Sequence, residues 1–194
     1  MNTPLLQTKR LILRKFTEND LKSFYEIYSD KEANTFLPWY PLKTMEEAKK
    51  VYEELLNKYK QERAYHYAIC LKENNDPIGY VNVSMEDSYD LGYGLRKEYW
   101  HQGITSEAVK AVIEQLKEDE IPYITATHDV NNPRSGEIMK KLGMKYQYSY
   151  DEQWQPKNIL VTFRMYQLNF NNQDDSVYQK YWDNSIVHFI EKDL

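Results

Sequence analysis

The sequence contains one cysteine, Cys70, and only 6 glycines among its 194 residues. A single cysteine excludes an intrachain disulfide and a cysteine-based zinc site, and it is typical of a reducing compartment. The chain has no apolar run near the roughly 18 to 20 residues that a membrane helix needs, and its first residues lack the apolar stretch of a signal peptide. We therefore expect a cytoplasmic protein without a membrane partner.

The sequence also lacks an excess of basic residues and the common phosphate-binding motifs. It has 25 Lys and Arg against 30 Asp and Glu, which gives a formal net charge of −5, so it has no overall attraction for nucleic acid. No GxxxxGK[ST] motif is present, and Gly92 and Gly94 are not followed by the third glycine of a dinucleotide fingerprint. The 4 histidines are dispersed, and we expect no metal site and no nucleic-acid partner.

The composition is that of one globular domain with an appendage. Hydrophobic residues make up 41% and charged residues 28% of the chain, which is enough apolar material for a sizeable core. We expect a domain at residues 1–170 and an extension at residues 171–194. The aromatic and aliphatic residues of the extension predict a helix that packs on the domain or on a partner subunit, so a homodimer is one arrangement that the sequence allows. The 18 tyrosines fit either amphipathic edges of helices and strands or larger grooves and subunit surfaces.

Residue periodicity predicts one strand, two helices, three strands, a helix, a strand, a helix and two closing strands. This order is typical of an α+β domain built around one mixed sheet. The strand predicted at residues 90–95 carries Gly92 and Gly94, and glycines inside a strand indicate a bulge or the close approach of a backbone or a ligand.

The most informative stretch is LGYGLRKEYWHQGITSEAV, residues 91–109. A glycine-bearing strand leads through Gly103 into a helix that begins with Thr105 and Ser106. The start of a helix presents unpaired amide N–H groups and the positive end of the helix dipole, which together favour phosphate oxygens. The alternative interpretation is that Gly103 is only a turn residue and Ser106 only a cap.

Four blocks together resemble the GCN5-related N-acetyltransferase (GNAT) superfamily, in its RimJ/RimL-like, ribosomal-protein branch. They are LQTKRLILRKFTENDL, IGYVNV, LGYGLRKEYWHQGITSEAV and NNPRSGEIMKKLGMKY, and the resemblance spans residues 6–168. It implies a mixed, mostly antiparallel twisted sheet that is splayed at the cofactor site and flanked by about four helices. It also implies an enzyme that transfers the acetyl group of acetyl-CoA to a primary amine.

The resemblance implies that acetyl-CoA lies between the strands at residues 90–95 and 123–127, with its pyrophosphate on the loop at 101–106. The cofactor-binding residues it implies are Gly94, Leu95, His101, Gln102, Gly103, Ile104, Thr105, Ser106, Asn132 and Ser135. The sequence departs from the family's Q/R-x-x-G-x-G/A loop at Trp100 and Thr105, and the backbone amides are expected to tolerate both changes.

The resemblance also suggests the catalytic residues. Asn132 would bind the pantetheine arm, and Ser135 would lie near the thioester sulfur and protonate the leaving thiolate. Many relatives have a tyrosine for that purpose where this chain has Met139, which cannot donate a proton. Asp90 is a candidate for relaying the amine proton through water, with Tyr93 nearby. The alternatives are that Asn132 only caps a helix and that Asp90 is a charge at a strand edge.

The sequence leaves the acceptor open. A protein N-terminal amine, with a pKa near 8, is neutral far more often at pH 7 than a lysine-type amine near 10.4, so only the second kind requires a strong base. The loop at residues 36–42 is expected to line the acceptor pocket through Trp39 and Tyr40, unless these rings fill the core between the first two helices. A non-catalytic acyl-CoA-binding or sensor module is the alternative function.

Overall fold

The computed structural model describes residues 3–61, 64–171, 173–192 and 194. Its helices and strands, in chain order, are β1 (Leu6–Gln7), β2 (Leu11–Arg14), α1 (Leu21–Ser29), α2 (Met45–Gln61), β3 (Ala64–Leu71), β4 (Pro77–Ser84), β5 (Leu91–Leu95), α3 (Ile104–Glu118), β6 (Tyr123–Asp129), α4 (Pro133–Lys141), β7 (Lys145–Trp154), β8 (Ile159–Asn169), α5 (Lys180–Asn184) and β9 (His188–Phe189). The predicted order is confirmed, with β1 as an additional short strand.

The strands form two antiparallel sheets that meet side by side. The first has the order β1-β2-β3-β4-β5 and the second the order β6-β8-β7-β9. Strands β5 and β6 run parallel where the sheets meet, and one isolated bridge, Asp90 to Thr125, joins them. Beyond that bridge the strands diverge toward the starts of α3 and α4, which confirms the mixed, mostly antiparallel sheet splayed at one point.

The two faces of the first sheet have separate cores. Leu91 and Leu95 of β5 belong to the large core that also contains the buried residues of α3, such as Val109 and Val112. The opposite face carries Tyr80, which packs with residues of α1 and α2 such as Phe24. Because side chains alternate along a strand, the even-numbered residues of β5 face the side of α1 and α2.

The helix ends follow from local sequence. At the start of α2, the Glu47 N–H donates to Thr44 Oγ at 3.2 Å, as the Thr-x-x-Glu spacing predicts. Helix α4 has Pro133 in its first turn, where the missing N–H costs nothing. It is followed by Gly143, whose φ of 83° is the left-handed stop that glycine adopts without strain.

The C-terminal segment, residues 173–192, lies on its own domain. It is helical only over the five residues of α5, so most of the helix expected there is absent from the described part of the chain. The short strand β9 instead pairs with β7, with Ser149 opposite Phe189 and Tyr150 opposite His188. This pairing gives partners to backbone groups of β9 and of the outer edge of β7.

Among the described residues, no helix is both long enough and apolar enough to cross a membrane.

Replacing Gly136 by alanine should destabilise the protein. A Cβ atom there would lie 2.5 Å from His128 Nε2, so α4 must move away from β6. We expect the free energy of unfolding to fall by about 1–3 kcal/mol, measured by urea denaturation. At the neighbouring exposed position, Glu137→Ala should change it by less than about 0.5 kcal/mol. Equal stability of Gly136→Ala and the wild-type protein would contradict this close packing.

Candidate active site

The predicted site residues lie around the divergence of β5 and β6. Gly94 and Leu95 end β5, and the 101–103 segment is the loop before α3. The first turn of α3 contains Ile104, Thr105 and Ser106. At the other side of the opening, Asn132 precedes α4 and Ser135 lies in its first turn.

The start of α3 presents free backbone amides. Its first helical bond runs from the Glu107 N–H to the Gly103 carbonyl at 3.1 Å, so the amides of residues 104–106 precede the helical ladder. Gly103 has a φ of 72°, a left-handed conformation that glycine adopts readily. The expected anion-binding geometry is therefore present where the two strands are farthest from their bridge.

Arg10 adds a positive charge beside this loop, which the sequence reasoning missed. Its Nε lies 2.7 Å from Glu107 Oε2, and Nη1 donates to the Gln102 carbonyl at 2.9 Å. These contacts hold the guanidinium next to Gly103, where a Cβ would lie 3.8 Å from Arg10 Nη2. Arg10 and Gln102 are more than ninety positions apart in the chain, so no local sequence pattern predicts this contact.

Trp100 closes the end of β5. Its indole N–H donates to the Leu95 carbonyl at 2.8 Å, and the Arg134 guanidinium lies 5.6 Å from the centre of its ring. Trp100 thus links the loop before α3 to the first turn of α4 on both sides of the opening. In the same loop, the Gln102 side chain donates to the Glu98 carbonyl at 3.0 Å, while His101 is exposed with a φ of 60°.

Tyr93 and Ser135 meet across the opening. The Tyr93 hydroxyl donates to the Ser135 carbonyl at 2.9 Å and lies 2.9 Å from Ser135 Oγ. Burial raises the pKa of the Tyr93 phenol, opposed by its hydrogen bond with Ser135, so the phenol keeps its proton at neutral pH. Met139, where many relatives have a tyrosine, is 1% exposed and lies in the core. The phenol close to Ser135 is instead that of Tyr93 in β5.

Asn132 occupies the position before α4 without a side-chain capping bond in the described residues. The Ser135 N–H instead donates to the Asn132 backbone carbonyl at 3.2 Å. Asn132 is therefore the N-cap of α4 by position, as one interpretation predicted, but its side chain makes no capping bond to the described residues.

Asp90 lies at the closed end of the opening, in the bridge to Thr125. Its Oδ1 is buried and has no hydrogen-bond partner among the described residues. Burial raises the pKa of Asp90 to about 6, and the charge of Glu152 adds to the rise. Burial also raises the pKa of Glu152. Such a shift suits a group that exchanges a proton near neutral pH.

Side chains of β4 lie close to the two glycines of β5, Gly92 and Gly94. A Cβ on Gly92 would lie 2.8 Å from Asn82 Oδ1, and one on Gly94 would lie 2.5 Å from a ring carbon of Tyr80. These side chains of β4 therefore lie over β5 on the side of α1 and α2. The close approach predicted from Gly92 and Gly94 is made by protein side chains on this face.

Trp39 is connected to β5 through a series of rings. The centre of its ring lies 5.9 Å from that of Tyr28, which stacks on Tyr80 at 5.2 Å. The Trp39 indole N–H donates to Asn34 Oδ1 at 3.0 Å. Tyr40, in the same loop, is 57% exposed.

The described residues contain no group of three or more His, Cys, Asp or Glu side chains placed to hold a metal ion. Burial raises the pKa of the Cys70 thiol to about 12, so this cysteine stays in its unreactive thiol form at neutral pH.

The splayed sheet and the amide-rich helix start beside it agree with the expected class, an acyltransferase of the N-acetyltransferase type. The chain matches the family model described as acetyltransferase (GNAT) domain over residues 10–145. It therefore belongs to this acetyl-CoA-dependent family, and the predicted family is confirmed.

Three comparisons illustrate the relationship. The uncharacterized N-acetyltransferase YnaD of Bacillus subtilis is 31% identical over 144 residues, covering 72% of this chain and 82% of that protein. The structure of ribosomal-protein-S5-alanine acetyltransferase from Vibrio fischeri has a TM-score of 0.72 and 18% identity, covering 88% of this chain and 99% of that one. RimL, a ribosomal L7/L12 alpha-N-protein acetyltransferase in complex with coenzyme A, has a TM-score of 0.74 and 18% identity, covering 86% and 98% of the two chains.

Asp90→Asn should stabilise the protein at neutral pH. Because the pKa of Asp90 is raised from 3.8 to about 6 in the folded state, the folded protein holds this proton more tightly than the unfolded chain does. The contribution of Asp90 to stability therefore falls as the pH rises from about 4 to about 6. We expect the variant to gain about 1–2 kcal/mol at pH 7.5 and much less at pH 4, since partial solvent access reduces the full effect.

Chemical denaturation at the two pH values measures this difference. The matched control is Asp175→Asn at an exposed position of the C-terminal segment, which should change the free energy of unfolding by less than about 0.5 kcal/mol at either pH. A gain for Asp90→Asn that is the same at both pH values would contradict the raised pKa.

Proposed function

We propose that this protein transfers the acetyl group of acetyl-CoA to a primary amine by direct attack of the amine in a ternary complex. The carrying observation is that the free amides of α3 and the Tyr93–Ser135 hydroxyl pair flank the same opening between β5 and β6. The amides can hold a diphosphate, and the hydroxyl pair can donate a proton to a leaving thiolate.

The proposed cofactor-binding residues lie along the opening between β5 and β6. The amides of residues 104–106, together with the loop residues His101, Gln102 and Gly103, would hold the pyrophosphate. Gly94 and Leu95 would contact the pantetheine arm from β5, and Asn132 and Ser135 would do so from the start of α4. Acetyl-CoA supplies the activated acyl group, and RimL, which shares the fold, has been crystallised with coenzyme A.

Asp90 is the proposed proton acceptor. Its carboxylate takes one proton from the ammonium form of the acceptor, directly or through water, so that the nitrogen lone pair can attack the acyl carbon. The C–N bond then forms and the C–S bond breaks. A pKa of about 6 leaves most of the Asp90 carboxylate ionised at pH 7, which this step requires.

Ser135 is the proposed proton donor to the leaving sulfur. Its hydroxyl proton passes to the thiolate. The Tyr93 hydroxyl lies 2.9 Å from both the Ser135 carbonyl oxygen and Ser135 Oγ, so it can turn its proton from the carbonyl to Oγ and replace the one that Ser135 has lost. The second proton lost by the nitrogen balances the one that the thiolate gains, and Tyr93 recovers its proton from solvent. A thiolate with a conjugate acid near pKa 8.5 requires only modest assistance.

The acceptor is a primary amine, either on a protein N-terminus or on a small molecule. Two proteins with the same fold are named for acetylation of ribosomal proteins, which supports the first class. We propose that Trp39 and Tyr40 line the acceptor side, since the rings of Trp39, Tyr28 and Tyr80 lead from this loop to β5.

Release of free thiol from acetyl-CoA, measured with a panel of peptides and small amines, tests the function. Turnover of at least one amine, with acetyl-CoA binding detected by calorimetry, is the expected result. Tight binding of acetyl-CoA with no turnover of any amine would instead support a sensor module. The absence of acetyl-CoA binding would overturn the assignment of the site.

Ser135→Ala should lower kcat about 10²-fold, and Tyr93→Phe should lower it about tenfold, because general acid assistance is typically worth 10²–10⁴-fold and a thiolate needs the lower end of that range. The dissociation constant for acetyl-CoA should change less than about threefold in both variants. Steady-state kinetics and calorimetry measure the two quantities. The control is Tyr99→Phe, a tyrosine between β5 and α3 whose ring lies 5.9 Å from the Arg96 guanidinium. Unchanged kcat in both variants would exclude this pair as the proton source.

A further inference from the structure

The connection between β1 and β2 is built around the side chain of Glu107 in α3. Glu107 Oε1 accepts hydrogen bonds from the Thr8 hydroxyl at 2.6 Å and from the Arg10 backbone N–H at 2.9 Å. Burial alone would raise the pKa of Glu107, but hydrogen bonds from Thr8 and Arg10 and the Arg10 charge lower it below its ordinary value. The carboxylate is therefore ionised at neutral pH, and Arg10 is fixed to the first turns of α3.

The guanidinium group of Arg10 uses two of its three nitrogens for contacts with the protein. Nε lies 2.7 Å from Glu107 Oε2, and Nη1 donates to the Gln102 carbonyl at 2.9 Å. Nη2 has no hydrogen-bond partner among the described residues. The side chain is 42% exposed, so Nη2 keeps two N–H groups available for another partner.

Nη2 borders an open space at the residue before α3. Beyond the two chain neighbours of Gly103, Arg10 Nη2 is the only heavy atom of the described residues within 4 Å of where a Gly103 Cβ would lie, at 3.8 Å. His101, Gln102 and Gly103 are all exposed. The space beside Gly103 therefore has room for part of a ligand, next to a fixed cation and directly before the free amides of residues 104–106.

Arg96, which follows β5, shows by contrast what is particular to Arg10. Arg96 Nη1 lies 2.8 Å from Glu26 Oε2, and its Nη2 lies 3.4 Å from Glu98 Oε1. Both terminal nitrogens of Arg96 thus face carboxylates already. Arg10 gives only Nε to a carboxylate, so it can offer a terminal nitrogen to an anion without losing its ion pair.

We propose that Arg10 Nη2 binds the diphosphate of acetyl-CoA together with the backbone amides of residues 104–106. The inference rests on the proposed function, and it adds a charged side chain from the β1–β2 connection to the loop before α3. A guanidinium N–H forms a charge-assisted hydrogen bond with a phosphate oxygen, which is stronger than a bond from an uncharged amide. Glu107 is the positioning residue, because it holds Nε and leaves Nη2 beside Gly103.

Coenzyme A also has a phosphate on the 3′ position of its ribose, which a guanidinium could bind as well. We assign Arg10 to the diphosphate because Nη2 lies beside Gly103, and the free amides of α3 follow that residue directly. 3′-Dephospho-CoA distinguishes the two phosphates, because it retains the diphosphate and lacks the phosphate on the ribose.

Calorimetry with CoA and with 3′-dephospho-CoA on the 194-residue chain tests the proposal. Arg10→Ala should raise the Kd of both ligands about tenfold, which is the effect of losing one charge-assisted hydrogen bond. Lys9→Ala is the matched control, because it removes the same charge from the adjacent exposed position, and it should leave both Kd values within about twofold. Unchanged affinity of Arg10→Ala, equal weakening by Lys9→Ala, or weakened binding of CoA alone would overturn the proposal.

Salt separates a direct charge contact from a purely structural role of Arg10. Raising sodium chloride from about 0.1 M to about 1 M shortens the Debye length from about 10 Å to about 3 Å. Because the contact is open to solvent, the ratio of the Kd values of Arg10→Ala and the wild-type protein should fall from about tenfold to about threefold or less. The same ratio at both salt concentrations would mean that Arg10 only holds the loop, and it would overturn the proposal.

The same titrations distinguish failure of this inference from failure of the proposed function. If the wild-type protein does not bind CoA, the proposed function fails together with the assignment of Arg10. If the wild-type protein binds CoA and Arg10→Ala binds it equally well, only the assignment of Arg10 fails. Neither result depends on finding an amine that the protein acetylates.

Discussion

The divergence of β5 from β6 after the single bridge of Asp90 and Thr125 is the constraint on which the rest of the structure depends. Two parallel strands that stop pairing leave N–H and C=O groups facing a gap, and such groups need partners. The chain supplies one partner itself, since the Trp100 indole occupies the Leu95 carbonyl. The remaining edges face the opening, which supports our proposal that the pantetheine arm, with its own amides, lies there.

The gap gives the starts of α3 and α4 access to the same space. Both α3 and α4 begin where the strands are separated, so free amides and the Ser135 hydroxyl face the same space. Packing maintains the arrangement: Gly136 allows α4 to approach His128, and Arg134 lies over Trp100. A change in the packing of α4 would therefore move Ser135 relative to Tyr93, and the proposed proton transfer depends on this contact between two separate elements.

Local sequence patterns were sufficient to predict the order of elements and the helix start after Gly103. Each of these depends on neighbours within a few positions, where turn and cap chemistry acts. The contacts of Arg10 with Gln102 and of Tyr181 with Tyr150 depend on tertiary packing, which periodicity does not reveal. The aromatic composition of the C-terminal segment indicated burial, but it did not distinguish a helix from the edge strand β9, because short apolar runs fit both.

Asp90, at the closed end of the gap, affects the stability of the folded protein. A partly buried carboxylate without a hydrogen-bond partner lowers stability at neutral pH, and the negative charge of Glu152 increases that cost. An asparagine would fill the same volume without the charge, yet it would not accept a proton. Local instability of this kind is typical of groups that serve a reaction.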